Sequence, residues 1–300
     1  MFTPVTATAI SIKPRRWEKA RNADKIEQFF REAASDGPDL ILTTEGVLEG
    51  YVVNDVLEGR RTAKDMLEIA EPIHGPYIDR FRRLAQELST CLCFGFAERI
   101  GRDVYNTAIF IGGEGDILGK YHKTQLAEGA DPSWNFNRVG EILRAFDTPL
   151  GRVGMLICND RWNPMIARTL ALDGARLLLI PSYGSRSRDQ NRTVLARARE
   201  NGLPIVEANV GMNLIVSKGE IVAYKWGNDR ITTAVVEVPA PPSPGAARAY
   251  ETEYMKLQGP EMARRHSETM KRLRGEENEV ERAARGELIA GGPTGRPARP

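Results

Sequence analysis

Cysteine is scarce in this chain of 300 residues, which carries only Cys91, Cys93 and Cys158. Two of the three fall in one strand-like stretch, so no disulfide framework of the kind that staples small secreted domains can be drawn. Charge of one sign is lacking too. The 42 Lys and Arg against 40 Asp and Glu leave a net charge of +2, which argues against nucleic acid or an anionic membrane as the main partner. No apolar run approaches the length of a membrane span, and the N-terminus does not have the basic-then-apolar layout of a signal peptide. His74, His122 and His266 lie in no metal-ligand spacing. No repeat of solenoid length is present. These absences point to a soluble cytoplasmic protein with reduced thiols, no membrane or nucleic-acid partner and no metal.

What is present is an ordinary globular composition, 41% hydrophobic and 27% charged, enough to build a sizeable core. Strand-like and helix-like stretches alternate. Val5 to Ile12 reads as a first strand, and Trp17 to Ala34 has apolar residues at helical spacing, stopped by Asp36-Gly37-Pro38. Leu40 to Leu42 is a short strand. Thr62 to Ser89 is helical with breaks near Pro72 and Pro76, and Cys91 to Ala97 is strand-like, with Cys93 facing away from Leu92 and Phe94. The stretches Tyr105 to Ile111 and Ile117 to Tyr121 flank Gly112-Gly113-Glu114-Gly115-Asp116, a hairpin turn rather than a phosphate loop, because no helix with Lys-Ser or Lys-Thr follows. Leu126 to Val139 is a polar loop long enough to be functional. The second half runs strand (Val153 to Ile157), helix (Met165 to Asp173), strand (Arg176 to Pro181), helix (Asn191 to Asn201), strand (Leu203 to Asn209). Hairpins from Met212 to Tyr224 and a last strand, Ile231 to Val238, complete it. Hairpins among crossovers imply an α/β fold with mixed sheets. The Pro-rich run 239–245 closes a domain of residues 1–240. Residues 241–300 form a charged extension, helical in part over Arg248 to Glu287 and disordered over the last ten residues.

Three reactive side chains stand just past the ends of buried strands: Glu45 after Leu40-Ile41-Leu42-Thr43-Thr44, Lys123 after Ile117 to His122, and Cys158 after Val153 to Ile157. Charged groups so placed converge on one edge of a sheet, where α/β sites form. Each alone has a plain structural reading: a solvated strand end, a surface lysine, a small hydrophobe finishing a core strand. Together they make chemical sense. A carboxylate can take the thiol proton, and an ammonium favours the thiolate and an oxyanion.

Thr44-Glu45-Gly46, Gly119-Lys120-Tyr121-His122-Lys123-Thr124 and Ile157-Cys158-Asn159-Asp160-Arg161 resemble the Glu–Lys–Cys signature of the carbon–nitrogen hydrolase (nitrilase) superfamily. The similarity extends to Gly95-Phe96-Ala97-Glu98, Tyr105-Asn106-Thr107-Ala108, Ala196 to Asn201 and Ala208-Asn209, so it covers about residues 5 to 238. The resemblance implies a four-layer α-β-β-α sandwich with two mixed sheets, assembled as a homodimer or higher homo-oligomer. It implies hydrolysis of a non-peptide C–N bond with no cofactor, through a cysteine thioester and with release of ammonia. Glu45 would be the base, Cys158 the nucleophile, and Lys123 with the Asn159 backbone N–H the oxyanion site. A second carboxylate would be Glu128 or Asp131. The Cys motif is nearest to the N-carbamoyl-amino-acid amidohydrolase and amidase branches. There Arg161, with Arg186 or Arg188, would meet a substrate carboxylate, or Arg161 would instead pair with Asp160 or a dimer neighbour. Trp134 and Tyr183 are expected as pocket walls. The small-molecule substrate is an amide or an N-carbamoyl compound. A nitrile, or a catalytically idle member acting as an interaction protein, are the alternatives.

Overall fold

The computed structural model describes residues 2–184 and 187–257, and all structural statements concern these. The first half of the chain builds one six-stranded sheet. Its strands are β1 (Phe2–Ile10), β2 (Leu40–Leu42), β3 (Cys91–Ile100), β4 (Asp103–Ile111) and β5 (Ile117–His122), joined at the far edge by the last strand of the domain, β12 (Ile231–Pro239). The order is β12-β1-β2-β3-β4-β5, with β2 parallel to both neighbours and the remaining pairs antiparallel. The second sheet is β11-β10-β9-β8-β7-β6, built from β6 (Phe146–Thr148), β7 (Gly151–Met155), β8 (Leu177–Ser182), β9 (Ile205–Asn209), β10 (Met212–Ser217) and β11 (Glu220–Trp226). Here β8 is the strand with a parallel neighbour on either side.

Residue alternation along the strands sorts the core into layers. Ala7, Leu42, Cys93 and Phe110 from the first sheet meet Val153, Met155, Leu179 and Val206 from the second, closing the sandwich face to face. On the outer face of the first sheet, Ile41, Leu92, Phe94 and Ile109 are covered by α1 (Lys19–Ala34) and α4 (Pro76–Leu88). The outer face of the second, including Leu178, Ile180 and Leu214, lies under α5 (Pro164–Leu172) and α6 (Arg188–Asn201). The result is the expected α-β-β-α sandwich. Cys93 does face away from Leu92 and Phe94, into the inter-sheet core.

Several boundaries differ from the sequence reading. The helical stretch after Thr62 divides into α3 (Ala63–Ile69), opened by a capping box between Thr62 and Asp65, and α4, with Pro76 in its first turn. The short α2 (Val53–Leu57) and strand β6 carry too few residues for a periodic signal. Strand β7 ends at Met155 rather than Ile157, because the Ile157 N–H is taken by the Asp160 carboxylate at 2.8 Å instead of a ladder partner.

Past the last strand, a helix over 244–257 returns to the body. Glu253 meets Arg168 in a bidentate pair at 2.8 and 3.0 Å, and Arg144 and Arg176 lie over the rings of Tyr254 and Tyr250. The expected disorder of the last ten residues, and the remainder of the expected helical stretch, lie outside the described residues, as do Arg186 and His266 and the side chain of Arg188.

Candidate active site

Glu45 and Lys123 come from the first sheet and Cys158 from the second, so the site bridges the two halves of the sandwich. Beyond β2 the chain keeps bonding to β3: Gly95 N–H donates to Thr44 O at 3.1 Å, and Val47 N–H to Gly95 O at 2.9 Å. Glu45 is thus held where the chain turns away just past the end of a core strand. Gly95 makes this approach possible, since a Cβ there would lie 2.6 Å from Glu45 Cα and 2.9 Å from Gly46 N. Both are backbone atoms that cannot swing aside. Gly95→Ala is therefore expected to cost about 1–3 kcal/mol of overpacking strain and to lower turnover by displacing Glu45. Denaturant midpoint and turnover measured together check it; an unchanged turnover would mean that the Glu45 backbone position is immaterial.

Lys123 leaves β5 with its N–H on Asn106 O at 2.9 Å. Its ammonium reaches Glu45 Oε1 at 2.7 Å, and neither side chain has any exposed surface. Asn106, on the inner face of β4 with Ala108 and Phe110, donates its amide to the same oxygen at 2.8 Å. Glu45 Oε1 is doubly occupied, while Oε2, equally buried, has no hydrogen-bond partner among the described residues. Burial opposes the charge on Lys123, but the carboxylate of Glu45, with Cys158 and Glu128 nearby, outweighs it and holds the ammonium above its ordinary range.

Cys158 opens a short 3-10 turn, Cys158–Trp162, and has φ of 45°. A non-glycine residue in that region is strained, and such strain collects at functional positions. Asp160 anchors the turn. Its carboxylate accepts from Ile157 N–H, from the Tyr121 hydroxyl at 2.9 Å and from Gln125 N–H at 2.9 Å, tying the Cys158 turn to the segment that carries Lys123. The next crossover binds both partners at adjacent carbonyls. Ser182 O accepts from Glu45 N–H at 3.4 Å, and Tyr183 O from the Cys158 thiol at 3.7 Å. Burial and the nearby Glu45 push the Cys158 thiol up to about 11, against the opposing pull of Arg161 and Lys123. At Cys93 burial acts alone and raises the thiol further.

Glu128, not Asp131, is the second acid at this place. The Tyr51 hydroxyl donates to Glu128 Oε1, and Glu128 Oε2 is buried without a hydrogen-bond partner among the described residues. Asp131 is exposed and spent on its own loop, accepting from the backbone and hydroxyl of Ser133. The Tyr183 ring is stacked on Tyr51 at 4.6 Å. Phe136 packs against the same apolar patch, and Trp134 reaches it through Phe136. The Asn159 side chain is turned to Gln125 O at 3.4 Å.

Arg161 is placed differently from the expectation that it meets a substrate carboxylate. It is fully buried, with one terminal nitrogen on Glu207 Oε1 at 2.7 Å and Ser182 Oγ at 2.8 Å, and the other 3.7 Å from Cys158 Sγ. Nor does it pair with Asp160, whose oxygens are taken by Tyr121, Ile157 and Gln125. With Nη1 held by Glu207 and Ser182 and no exposed surface, the guanidinium is turned inward, and its Nε has no hydrogen-bond partner among the described residues.

Three residues escaped the sequence reading. Tyr51, at φ 52°, follows Glu45 in the same loop and carries no sequence signal that marks it. Asn106 was visible as a motif member without a role. Glu207 had a signal: a lone carboxylate inside the apolar run Ile205–Asn209 is rarely buried without a partner.

A thiol, a carboxylate and an ammonium are gathered inside a two-sheet sandwich, a set of groups suited to hydrolysis through a cysteine. The chain belongs to the carbon–nitrogen hydrolase family, whose model matches residues 6–236. It is 31% identical over 234 residues to an N-carbamoylputrescine amidase of Oryza sativa subsp. japonica, covering 73% of this chain and 76% of that one. It is 29% identical to a citrullinase of Francisella tularensis subsp. tularensis, covering 71% and 76%. A bifunctional nitrilase/nitrile hydratase of Lupinus angustifolius is also 29% identical; the match covers 68% of this chain and 61% of that protein. Among solved structures, an amidase from Nesterenkonia sp. superposes with a TM-score of 0.63 at 22% identity, over 78% of this chain and 90% of that one. That likeness is one of fold.

Proposed function

We propose that this protein hydrolyses an N-carbamoyl compound or a primary amide through a Cys158 thioester-type intermediate, releasing ammonia. The observation that carries the reading is the division of labour on Glu45. Oε1 is fixed by Lys123 and Asn106, which leaves Oε2 as the oxygen able to take and return a proton.

In this scheme Glu45 Oε2 accepts the thiol proton as Cys158 Sγ bonds to the carbonyl carbon. The C=O π pair moves to oxygen, and the negative charge that develops there is met by the Lys123 ammonium and the Asn159 backbone N–H. The oxyanion pair then re-forms the carbonyl and expels nitrogen, which takes the proton back from Glu45 and leaves as ammonia or an amine. Water enters, gives a proton to Glu45 and its oxygen to the carbonyl carbon. Sγ departs and regains that proton. With an N-carbamoyl substrate the released carbamic acid decomposes to carbon dioxide and ammonia. Glu128, held by Tyr51, is suited to accept from a substrate N–H through Oε2, while Tyr183 and, through Phe136, Trp134 shape the entrance. The resting thiol is kept neutral by burial, so proton removal is coupled to attack.

The carbamoyl and amide reading is favoured by relatives named for N-carbamoylputrescine and citrulline. A matched set of N-carbamoyl amines, primary amides and nitriles, read as ammonia release, tests it. Turnover of the first two with none of the nitrile is expected; turnover of nitrile alone would overturn the choice. The domain of residues 1–240 carries this chemistry and the charged extension is an addition to it. Three free thiols fit a reducing compartment, and the cytoplasm is our assignment. No helix among the described residues is long and apolar enough to cross a membrane. A homodimer or a higher homo-oligomer is the assembly we expect.

A further inference from the structure

Cys158 has a second cation beside it that the scheme above does not use. Arg161 lies three residues along the same turn, with Nη2 3.7 Å from Sγ. Its Nη1 is held on the far side by Glu207 Oε1 and Ser182 Oγ. Glu207 projects from the middle of β9, where Ile180 and Leu214 are its ladder partners. Its Oε1 also accepts from Ser182 Oγ at 3.0 Å and from Gln190 Nε2 at 3.0 Å. Gln190 is itself set by the cap of α6, where Ser187 Oγ accepts its N–H. Both charged side chains are without exposed surface.

Stability alone is a poor account of such a pair, because the desolvation of two buried ions roughly cancels their attraction. Placement beside the sulfur gives a better one. Lys123 is already spent on Glu45 at 2.7 Å, so its field at the sulfur is largely offset. The remaining groups that bear on the thiol are Glu45 and Lys123 from beyond β2 and β5, the Tyr183 carbonyl, and Tyr51, which Glu128 faces in turn. Arg161 acts from the thiol's own turn and Glu207 from β9. Asp160 is turned away to Tyr121 and Gln125.

We propose that Arg161 and Glu207 are positioning residues that together set the ionisation of the Cys158 thiol. The near guanidinium edge stabilises the thiolate, and the carboxylate behind it holds the guanidinium in place while reducing the charge the sulfur feels. The two residues therefore act on the thiol with opposite sign, which a merely structural pair would not do. The inference rests on Cys158 being the nucleophile, but its readout is thiol ionisation and not turnover.

The test is the pH dependence of iodoacetamide modification of Cys158 in the full-length protein, followed by mass spectrometry of the peptide that contains it. Arg161→Met is expected to raise the midpoint by about one pH unit or more, the size of shift a charge within contact range produces. Glu207→Gln keeps an oxygen acceptor for Arg161 but removes the opposing charge, and is expected to lower the midpoint. The charge-neutral pair Arg161→Met/Glu207→Gln avoids a stranded buried ion and is expected to raise it, because the nearer charge dominates. It decides the matter even where a single variant does not fold. A midpoint unchanged in Arg161→Met or in the double variant, or raised in Glu207→Gln, would overturn the proposal. Loss of ammonia release in Cys158→Ala is a separate measurement, so failure of the hydrolase reading and failure of this one are distinguishable.

Discussion

Cys158→Ala is expected to abolish ammonia release while leaving the protein folded. In the proposed scheme the sulfur is the atom that bonds to the substrate carbon. Loss of a nucleophile acting in concert with its base lowers turnover by roughly a millionfold in enzymes of comparable design. The structural consequence is small by contrast. The thiol makes only long contacts, 3.7 Å to Tyr183 O and 3.7 Å from Arg161. The turn itself is held by Asp160 through backbone and Tyr121 contacts that alanine does not disturb. Alanine also retains a Cβ at φ 45°, so the local strain is unchanged. A denaturation midpoint within about 1 kcal/mol of wild type is expected, the range of substitutions that remove no strong interaction. Undiminished ammonia release from a folded variant would refute the covalent scheme outright.

The second large effect separates activity from stability at the Glu45–Lys123 pair. Glu45→Gln removes the base, and general-base catalysis contributes roughly a hundredfold to ten-thousandfold. It also strands the Lys123 ammonium in a site with no exposed surface. Removing one partner of a buried pair costs about 3–5 kcal/mol, because the other charge is left uncompensated. Lys123→Met is expected to destabilise for the mirror-image reason and to lose the oxyanion cation as well. The double variant, Glu45→Gln/Lys123→Met, leaves no stranded charge at this pair. It is expected to recover most of the lost stability and none of the lost activity. Denaturant midpoints and turnover across the three variants make the comparison. A double variant no more stable than the singles would show that the pair's buried charge is not what the singles expose. Recovered turnover would show that these groups are not the catalytic ones.

Buried charge is the thread through the site, and three of its carboxylates show how it is accommodated. Glu45 is matched by Lys123, Glu207 by Arg161, and Glu128 by the Tyr51 hydroxyl. The Tyr51 phenol is in turn kept neutral by burial and by the carboxylates of Glu45 and Glu128, so it remains a donor. Each acid has one oxygen fixed by the protein. On all three the other oxygen is buried without a hydrogen-bond partner among the described residues.

What the linear chain determined by itself was the list of candidate reactive groups and the positions of most strands. Short apolar runs mark where β2, β5 and β7 lie, and a charged or thiol residue just past each end marks Glu45, Lys123 and Cys158. These signals are local, carried within a few residues of each other. Contacts between distant segments were decided only by the tertiary structure. Arg161 looks in the sequence like an exposed anion-binding arginine, because its partner Glu207 lies 46 positions away. Glu128 and Asp131 are equivalent loop acids until Tyr51, 77 positions before Glu128, selects the first. The reason is physical: periodicity reports which face of a strand is buried, whereas the choice of a buried charge's partner depends on how two sheets are stacked.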